Sequence, residues 1–248
     1  MSFGAKINLK SMGLVKMLSE NFSYVEIYFL PDFFVNPESS ILPFKYVIHA
    51  PTHNQSVNLA KKKGSNIKFV ESAIIFAHKV KAKRVIVHLG EYRDNVNEDN
   101  IIRNLRKLVR LGKKHNVKIL IENVPLKAKS GKVGYFDFGS NPEEIGMILE
   151  KVKCGFVLDF SHACHAALSY KENYKKFILK FLRLEPEMFH LYDTIVEQEE
   201  DVHLPFGKGT MDIKFLVKLV CGKDVTLEMD PYALRNYIEA INYLKQIL

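Results

Sequence analysis

The stretch Val157–Leu158–Asp159–Phe160–Ser161–His162 decides the fold prediction. It begins as a short apolar segment, reaches the carboxylate of Asp159, and carries the imidazole of His162 three residues later. An ionisable group at the end of a buried segment is costly unless it is paired or binds a metal. The same construction recurs along the chain, which predicts that these segment endings meet at one place.

Eight apolar segments are predicted to be β-strands, because they are short and rich in β-branched and aromatic residues. In chain order they are Ala5–Leu9, Tyr24–Leu30, Tyr46–Thr52, Arg84–Gly90, Lys118–Pro125, Cys154–His162, Glu187–Asp193 and Asp224–Asp230. Amphipathic helical patterns separate nearly all of them. In Ser65–Val80, for example, Ile67, Val70 and Ile74 repeat at helical spacing.

Alternating strands and helices are typical of a parallel sheet, and eight such repeats in about 250 residues are typical of a closed (β/α)8 barrel. We therefore predict an α/β fold, a single (β/α)8 TIM barrel, with one domain over residues 1–248. A doubly wound open sheet is the alternative, but no GxGxxG motif follows any predicted strand.

Composition narrows the class of protein. The chain has 248 residues and a formal charge of +8. This charge suits anionic partners such as a phosphorylated sugar or DNA, but lysines spread over helix surfaces are the simpler explanation. Its three cysteines form no CxxC pair, which argues against disulfides and thiolate zinc sites and fits a reducing cytoplasm. No signal sequence or transmembrane segment is expected, so we predict a cytoplasmic protein without a membrane partner.

Six of the predicted strands end in a candidate metal ligand, and the carboxyl ends of barrel strands meet at one rim. The candidates are His49, His88, Glu122, Asp159 with His162, His190 and Glu228, and the loop after the seventh strand adds Asp201 and His203. Each residue alone has an ordinary structural explanation, as a core histidine, a cap or a salt-bridge partner. Together they predict a divalent metal site, and imidazole and carboxylate ligands suit Zn²⁺, Mn²⁺, Co²⁺ or Fe²⁺.

With these residues placed, the chain resembles the xylose isomerase-like TIM-barrel superfamily of sugar phosphate isomerases, epimerases and endonuclease IV. The motifs that carry the resemblance are YVIHAPTHNQSVNLA, VIVHLG, LIENVP, VLDFSHA, FHLYDT followed by DVHLPFGKGTMD, and TLEMD. They span residues 46–230, which is most of the chain.

The isomerase and epimerase branch implies one divalent metal, Zn²⁺, Mn²⁺ or Co²⁺, held by Glu122, Asp159, His190 and Glu228. Glu122 and Glu228 would then transfer a proton at the carbon beside a carbonyl through an enediolate. Under this interpretation the substrate is a small sugar or sugar phosphate. Its expected contacts are His53, His88, His162 and Lys208, and either Lys208 or Arg93 would meet a phosphate.

The endonuclease IV branch implies three zinc ions and an abasic-site phosphodiesterase that acts on DNA. Its nine ligands would be the four residues above together with His49, His88, His162, Asp201 and His203. The complete ligand set favours the nuclease. The surrounding segments favour the isomerase group, because FGAKINLKSMG, THNQS and HLGEY depart from the usual endonuclease stretches.

We therefore place the metal-dependent isomerase or epimerase first and the nuclease second. A barrel that binds a ligand without turning it over is a third hypothesis. The substrate, the identity and number of metal ions, and the oligomeric state stay open at this stage.

Overall fold

The computed structural model describes residues 1–33, 43–62, 64, 66–127, 132–220, 222–229 and 234–247. Asp230, the predicted end of the last strand, lies outside the described residues. Among the described residues, no helix is both long and apolar enough to cross a membrane.

Eight parallel strands close into a barrel, which confirms the predicted (β/α)8 TIM barrel. Around the barrel the strand order is β1-β10-β9-β8-β6-β4-β3-β2. These strands are β1 (Ser2–Asn8), β2 (Tyr24–Tyr28), β3 (Tyr46–His49), β4 (Arg84–Val87), β6 (Lys118–Glu122), β8 (Gly155–Asp159), β9 (Met188–Leu191) and β10 (Asp224–Leu227). All eight predicted strands are present, although most end a few residues earlier than predicted.

Two short strands outside the barrel pair antiparallel with each other. They are β5 (Glu91–Tyr92), which follows β4, and β7 (Phe136–Asp137), which follows β6. This pair was not among the strands predicted from the sequence. Two-residue strands carry no periodicity from which to predict them.

Helices surround the barrel. They are α1 (Val15–Leu18), α2 (Ile67–Lys79), α3 (Glu98–Lys114), α4 (Pro142–Lys151), α5 (Phe160–Ser169), α6 (Tyr174–Leu182), α7 (Ile213–Leu219) and α8 (Leu234–Ile247), with 3-10 helices over Leu9–Leu14 and His53–Gln55. Apolar side chains between helices and barrel form the main core.

The segment Cys154–His162 was predicted to be a strand to its end, and this prediction was wrong beyond Asp159. The side chain of Asp159 accepts a hydrogen bond from the backbone N–H of His162 at 2.7 Å and so caps α5. His162 therefore lies in the first turn of a helix. Residues 160–167 of α5 are all buried, so the helix shows no amphipathic pattern in the sequence.

Asp224 links three strands at the amino ends of the barrel. It accepts hydrogen bonds from Ser2 Oγ at 2.6 Å and from the guanidinium of Arg84. Asp224→Asn is expected to lower the free energy of unfolding by about 1–3 kcal/mol at pH 7, because a charged hydrogen bond is lost in a partly buried place. Urea unfolding measures this change, and the exposed Asp212→Asn is the control, with a loss below about 1 kcal/mol.

The hydrogen bonds of Asp224 with Ser2 and Arg84 also predict that the stability of the protein depends on pH. Burial alone would raise the pKa of Asp224, but the hydrogen bonds from Ser2 and Arg84 lower it below its usual value. The stabilisation is therefore fully present above the unfolded-state pKa and is lost as the pH falls through the folded-state pKa. The difference between wild type and Asp224→Asn should thus shrink in acid, and a difference that grows in acid would contradict this account.

Candidate metal centre

An apolar layer fills the barrel interior and the candidate ligands stand directly above it. The layer consists of Tyr24, Val47, Ile86, Leu120, Val157 and Met188. Side chains two positions apart on a strand point to the same face. The next inward positions toward the carboxyl ends are therefore Glu26, His49, His88, Glu122, Asp159 and His190. Strand geometry alone gathers the polar groups into one layer.

Four residues of this region form a compact ligand group: Glu122, Asp159, His190 and Glu228. Each offers one ligand atom, and these atoms lie within 4.8 Å of one another. All four residues are buried. Nδ1 of His190 lies 2.7 Å from Glu228 Oε1 and 3.2 Å from Glu122 Oε1. Three carboxylates and one imidazole at this spacing suit a divalent cation.

A second group consists of His49, His88 and Glu122, and it meets the same 4.8 Å criterion. Nε2 of His49 and Nε2 of His88 lie 3.0 and 3.1 Å from Glu122 Oε2. Glu122 thus turns Oε2 toward the second group and Oε1 toward the first. The two groups share one carboxylate, which is the arrangement expected of a ligand that bridges two ions.

The remaining predicted ligands adjoin these groups. Oδ2 of Asp201 lies 3.4 Å from His162 Nε2 and 3.7 Å from His203 Nε2. Tyr192 holds this loop in place, because its hydroxyl donates to Asp201 Oδ1 at 2.7 Å and its ring stacks on His203 with centroids 3.8 Å apart. The structure therefore brings all nine predicted ligands into one region.

Hydrogen bonds to the backbone fix three imidazoles in the form that a metal ligand needs. In His49, His162 and His203, Nδ1 donates to a carbonyl oxygen, and because that oxygen can only accept, Nδ1 carries the proton. The acceptors are the carbonyls of Ala50, Asn123 and Glu228, at 2.9, 2.8 and 2.8 Å. Nε2 of each ring then faces Glu122 or Asp201. An imidazole whose Nδ1 is held by a carbonyl and whose Nε2 points at a carboxylate is oriented as metal-bound histidines are, so the residues fit a bound metal.

Asp159 supplies a second indication of cation binding. Its Oδ2 is buried and accepts no hydrogen bond from any residue in the described ranges. The imidazole nitrogens Nδ1 of His162 and Nδ1 of His190 are 3.6 and 3.8 Å away. Burial raises the pKa of Asp159 to about 6, and the nearby charge of Glu122 acts in the same direction. A bound cation would satisfy this oxygen.

Neighbouring charges and burial shift the pKa values of the other candidate ligands strongly. Burial opposes ionisation of Glu122 and Glu228, but His190 and further cationic neighbours outweigh burial and hold both pKa values well below the usual range. Burial likewise opposes a charged His190, yet the carboxylates around it raise its pKa well above the usual value. Burial lowers the pKa of His88 to about 3. In the metal-free protein, a proton on His190 thus neutralises carboxylates that a metal would otherwise neutralise.

Comparison with known families agrees with this geometry. The family described as xylose isomerase-like TIM barrel matches residues 42–247, a range that contains all nine candidate ligands. This chain belongs to the xylose isomerase-like TIM-barrel family. No curated protein sequence matches the chain.

Solved structures of similar fold include members of both branches. A D-tagatose 3-epimerase-like protein superposes with a TM-score of 0.78 at 19% identity, covering 100% of this chain and 97% of that protein. Endonuclease IV from Thermus thermophilus gives 0.70 at 17% identity, covering 99% and 100%. The TTHB071 protein of the same organism, in a structure soaked with ZnCl2, gives 0.77 at 18%, covering 100% and 98%. At these identities the likeness shows the fold alone.

Within this family fold, the structure adds residues that the ligand prediction left out. Lys6 Nζ lies 2.6 Å from Glu228 Oε1, and Glu26 Oε2 lies 3.0 Å from His190 Nε2. The inward alternation that selects His49 and Glu122 also selects Glu26. Lys6 was missed because lysines are mostly exposed, whereas this one lies between the buried Ala5 and Ile7 with only part of its side chain exposed.

Asn123, next to Glu122 in the LIENVP motif, secures the start of the neighbouring helix. Its side chain accepts from the Asp159 N–H at 2.7 Å and donates to the Asp159 carbonyl at 2.9 Å. Its own carbonyl accepts the His162 bond described above. One buried amide thus positions two candidate ligands.

Of the four predicted substrate contacts, two lie in the candidate metal centre and two lie outside it. His88 and His162 lie inside the centre. His53 begins the 3-10 helix that follows β3 and is partly exposed, and Lys208 is an exposed residue of the loop that follows β9. The roles of all four residues in substrate binding stay predictions.

Proposed function

We propose that this chain is a hydrolase of phosphodiester bonds, of the endonuclease IV kind, whose centre holds more than one divalent ion. The observation that carries the proposal is Glu122, whose two carboxylate oxygens face two separate ligand groups. A single-metal isomerase needs only the group of Glu122, Asp159, His190 and Glu228, and it would use His88 as a substrate contact rather than as a ligand. The sequence alone favoured the isomerase, but the second ligand group on the far oxygen of Glu122 supports placing the hydrolase first.

In this proposal Glu122, Asp159, His190 and Glu228 would hold one ion, and His49, His88 and Glu122 a second. His162, Asp201 and His203 would bind a third. Such ions would supply Lewis-acid stabilisation of the negative charge that develops on phosphate oxygens. The protein's own share is to orient each imidazole through its second nitrogen and to exclude water from the buried carboxylates.

The net charge of the chain and a cavity beside the candidate metal centre support a DNA substrate. A formal charge of +8 favours a polyanion such as DNA. Beside Glu228 lies a cavity of about 210 Å³, lined among others by Lys6, Asn8, Tyr28 and His203. Its polar and charged lining suits one sugar or phosphate unit. An abasic site offers such a unit.

The test combines metal counting with an activity assay. We expect two or more divalent ions per chain, and nicking of a duplex that contains one abasic site. His88→Ala and Asp201→Ala should lose nicking, while His78→Ala, which removes an exposed imidazole outside the ligand set, should keep it. One ion per chain together with an intact abasic duplex would exclude the proposal.

A second candidate, a sugar isomerase or epimerase, is favoured by a separate observation. Glu122 and Glu228 flank one nitrogen of His190, so two carboxylates face a single ligand group, as paired proton transfer requires. In D2O such an enzyme would place deuterium on the carbon beside the carbonyl of a ketose, and Glu228→Gln would stop this exchange. Absence of exchange with a panel of ketoses would rule the candidate out.

A further inference from the structure

His190 is oriented differently from the other histidines of the centre. Three of them, His49, His162 and His203, are fixed by backbone carbonyls. The second nitrogen of His190 instead lies 3.0 Å from the side-chain oxygen Oε2 of Glu26. Among these four rings, only His190 has an ionisable side chain, rather than a backbone carbonyl, as the partner of its second nitrogen.

Glu26 is itself held firmly. Its Oε2 also accepts a hydrogen bond from Thr226 Oγ1 at 2.9 Å, and Thr226 is the register partner of His190 in the neighbouring strand. The strands β2, β1, β10 and β9 are consecutive neighbours in the barrel. Glu26 on β2 therefore reaches across the barrel interior to His190 on β9, and the fully buried carboxylate has little freedom to turn.

Lys6 compensates the buried charge of Glu26. The two residues are register partners on β1 and β2, and Lys6 Nζ lies 3.6 Å from Glu26 Oε1. The same ammonium lies 2.6 Å from Glu228 Oε1. A fully buried carboxylate without a counter-charge is strongly destabilising. Because burying Glu26 is costly and needs Lys6 as a counter-charge, we infer that Glu26 has a role beyond packing.

We propose that Glu26 is a positioning residue of the metal centre, which holds His190 with Nδ1 turned toward Glu122, Asp159 and Glu228. With Nε2–H donated to Glu26, Nδ1 is the atom left to bind a metal. A carboxylate acceptor also makes the imidazole a more basic ligand than a carbonyl acceptor does. Glu26 belongs to neither ligand group among the described residues, so it acts through His190. The inference rests on the proposed metal binding but not on the number of ions.

The test measures Zn²⁺ affinity by competition with a chromophoric chelator. Glu26→Met removes the acceptor and is expected to weaken binding by about 10- to 100-fold, the usual effect of losing such a partner. Glu26→Gln keeps an acceptor oxygen and should weaken it less. Glu91→Gln is the matched control, because Glu91 is also buried and ion-paired, with Lys132, but lies outside the ligand groups.

A second readout separates positioning from general stability. In protein labelled with ¹⁵N-histidine, the Zn²⁺-loaded wild type should show His190 protonated at Nε2 and coordinated through Nδ1. Glu26→Met should change this pattern while the shifts of His49 stay the same. If Glu26→Met does not fold, as judged by circular dichroism, Glu26→Gln carries both measurements.

The outcomes are distinguishable. Wild-type protein that binds Zn²⁺, with both folded variants within about threefold of its affinity and with unchanged His190 shifts, overturns the positioning role alone. Wild-type protein that binds no divalent ion overturns the proposed function as well.

Discussion

Glu122→Gln is expected to abolish turnover and to reduce the number of bound divalent ions. Glutamine keeps the size of the side chain but removes the charge that both ligand groups share. Four imidazole nitrogens, from His49, His88, His162 and His190, lie between 3.0 and 3.3 Å from its two oxygens. Loss of a direct ligand should exceed the roughly 10- to 100-fold effect of losing an outer partner. Metal analysis of the purified variant and single-turnover nicking measure the two effects.

Glu228→Gln is the informative comparison, because Glu228 belongs to one group only. It should weaken the group of Asp159 and His190 while His49 and His88 keep their ion. If Glu122→Gln and Glu228→Gln lose the same number of ions, then Glu122 does not bridge. Glu91→Gln, outside both groups, should leave the metal content unchanged.

The sequence predicts most of the fold because strand and helix periods differ. Segments such as Arg84–Val87 are short, apolar and β-branched, and they come between long amphipathic helices such as Glu98–Lys114. Eight repeats then imply closure. The helix Phe160–Ser169 could not be predicted in this way, because it is buried along almost its whole length and has no polar face to produce a helical period. Tertiary burial, not local propensity, decides its conformation.

The ligands follow from topology once parallel strands are assumed. Residues as distant as His49 and Glu228 must meet, because the carboxyl ends of all strands form one rim. The second layer of partners is harder to predict. Lys6 lies between the buried Ala5 and Ile7 and is itself partly exposed, and a lysine at such a position is usually expected to face solvent. Tyr192 lies immediately beyond β9, and only the folded loop shows that its hydroxyl reaches Asp201.

Removal of metal by a chelator is expected to lower the melting temperature markedly. Three candidate ligand carboxylates, Glu122, Asp159 and Glu228, are buried together with Glu26 in a small volume. An ion that binds the folded state alone adds about 2.7 kcal/mol at 100 times its Kd and about 4.1 kcal/mol at 1,000 times. For a protein of this size such energies correspond to roughly 5–16 °C. Glu122→Gln, which should hold fewer ions, is expected to show a smaller drop.

The dependence of stability on free metal also counts the ions. Each ion that binds only the folded protein adds about 1.4 kcal/mol of unfolding free energy for every tenfold rise in free metal above its Kd. One ion therefore gives a slope of about 1.4 kcal/mol per decade, and two ions give about 2.8. Denaturant unfolding in buffers of fixed free Zn²⁺ measures this slope without any substrate. A slope near 2.8 kcal/mol per decade or above would support two or more ions that share Glu122. A slope near 1.4 kcal/mol per decade would instead favour one ion, as in an isomerase.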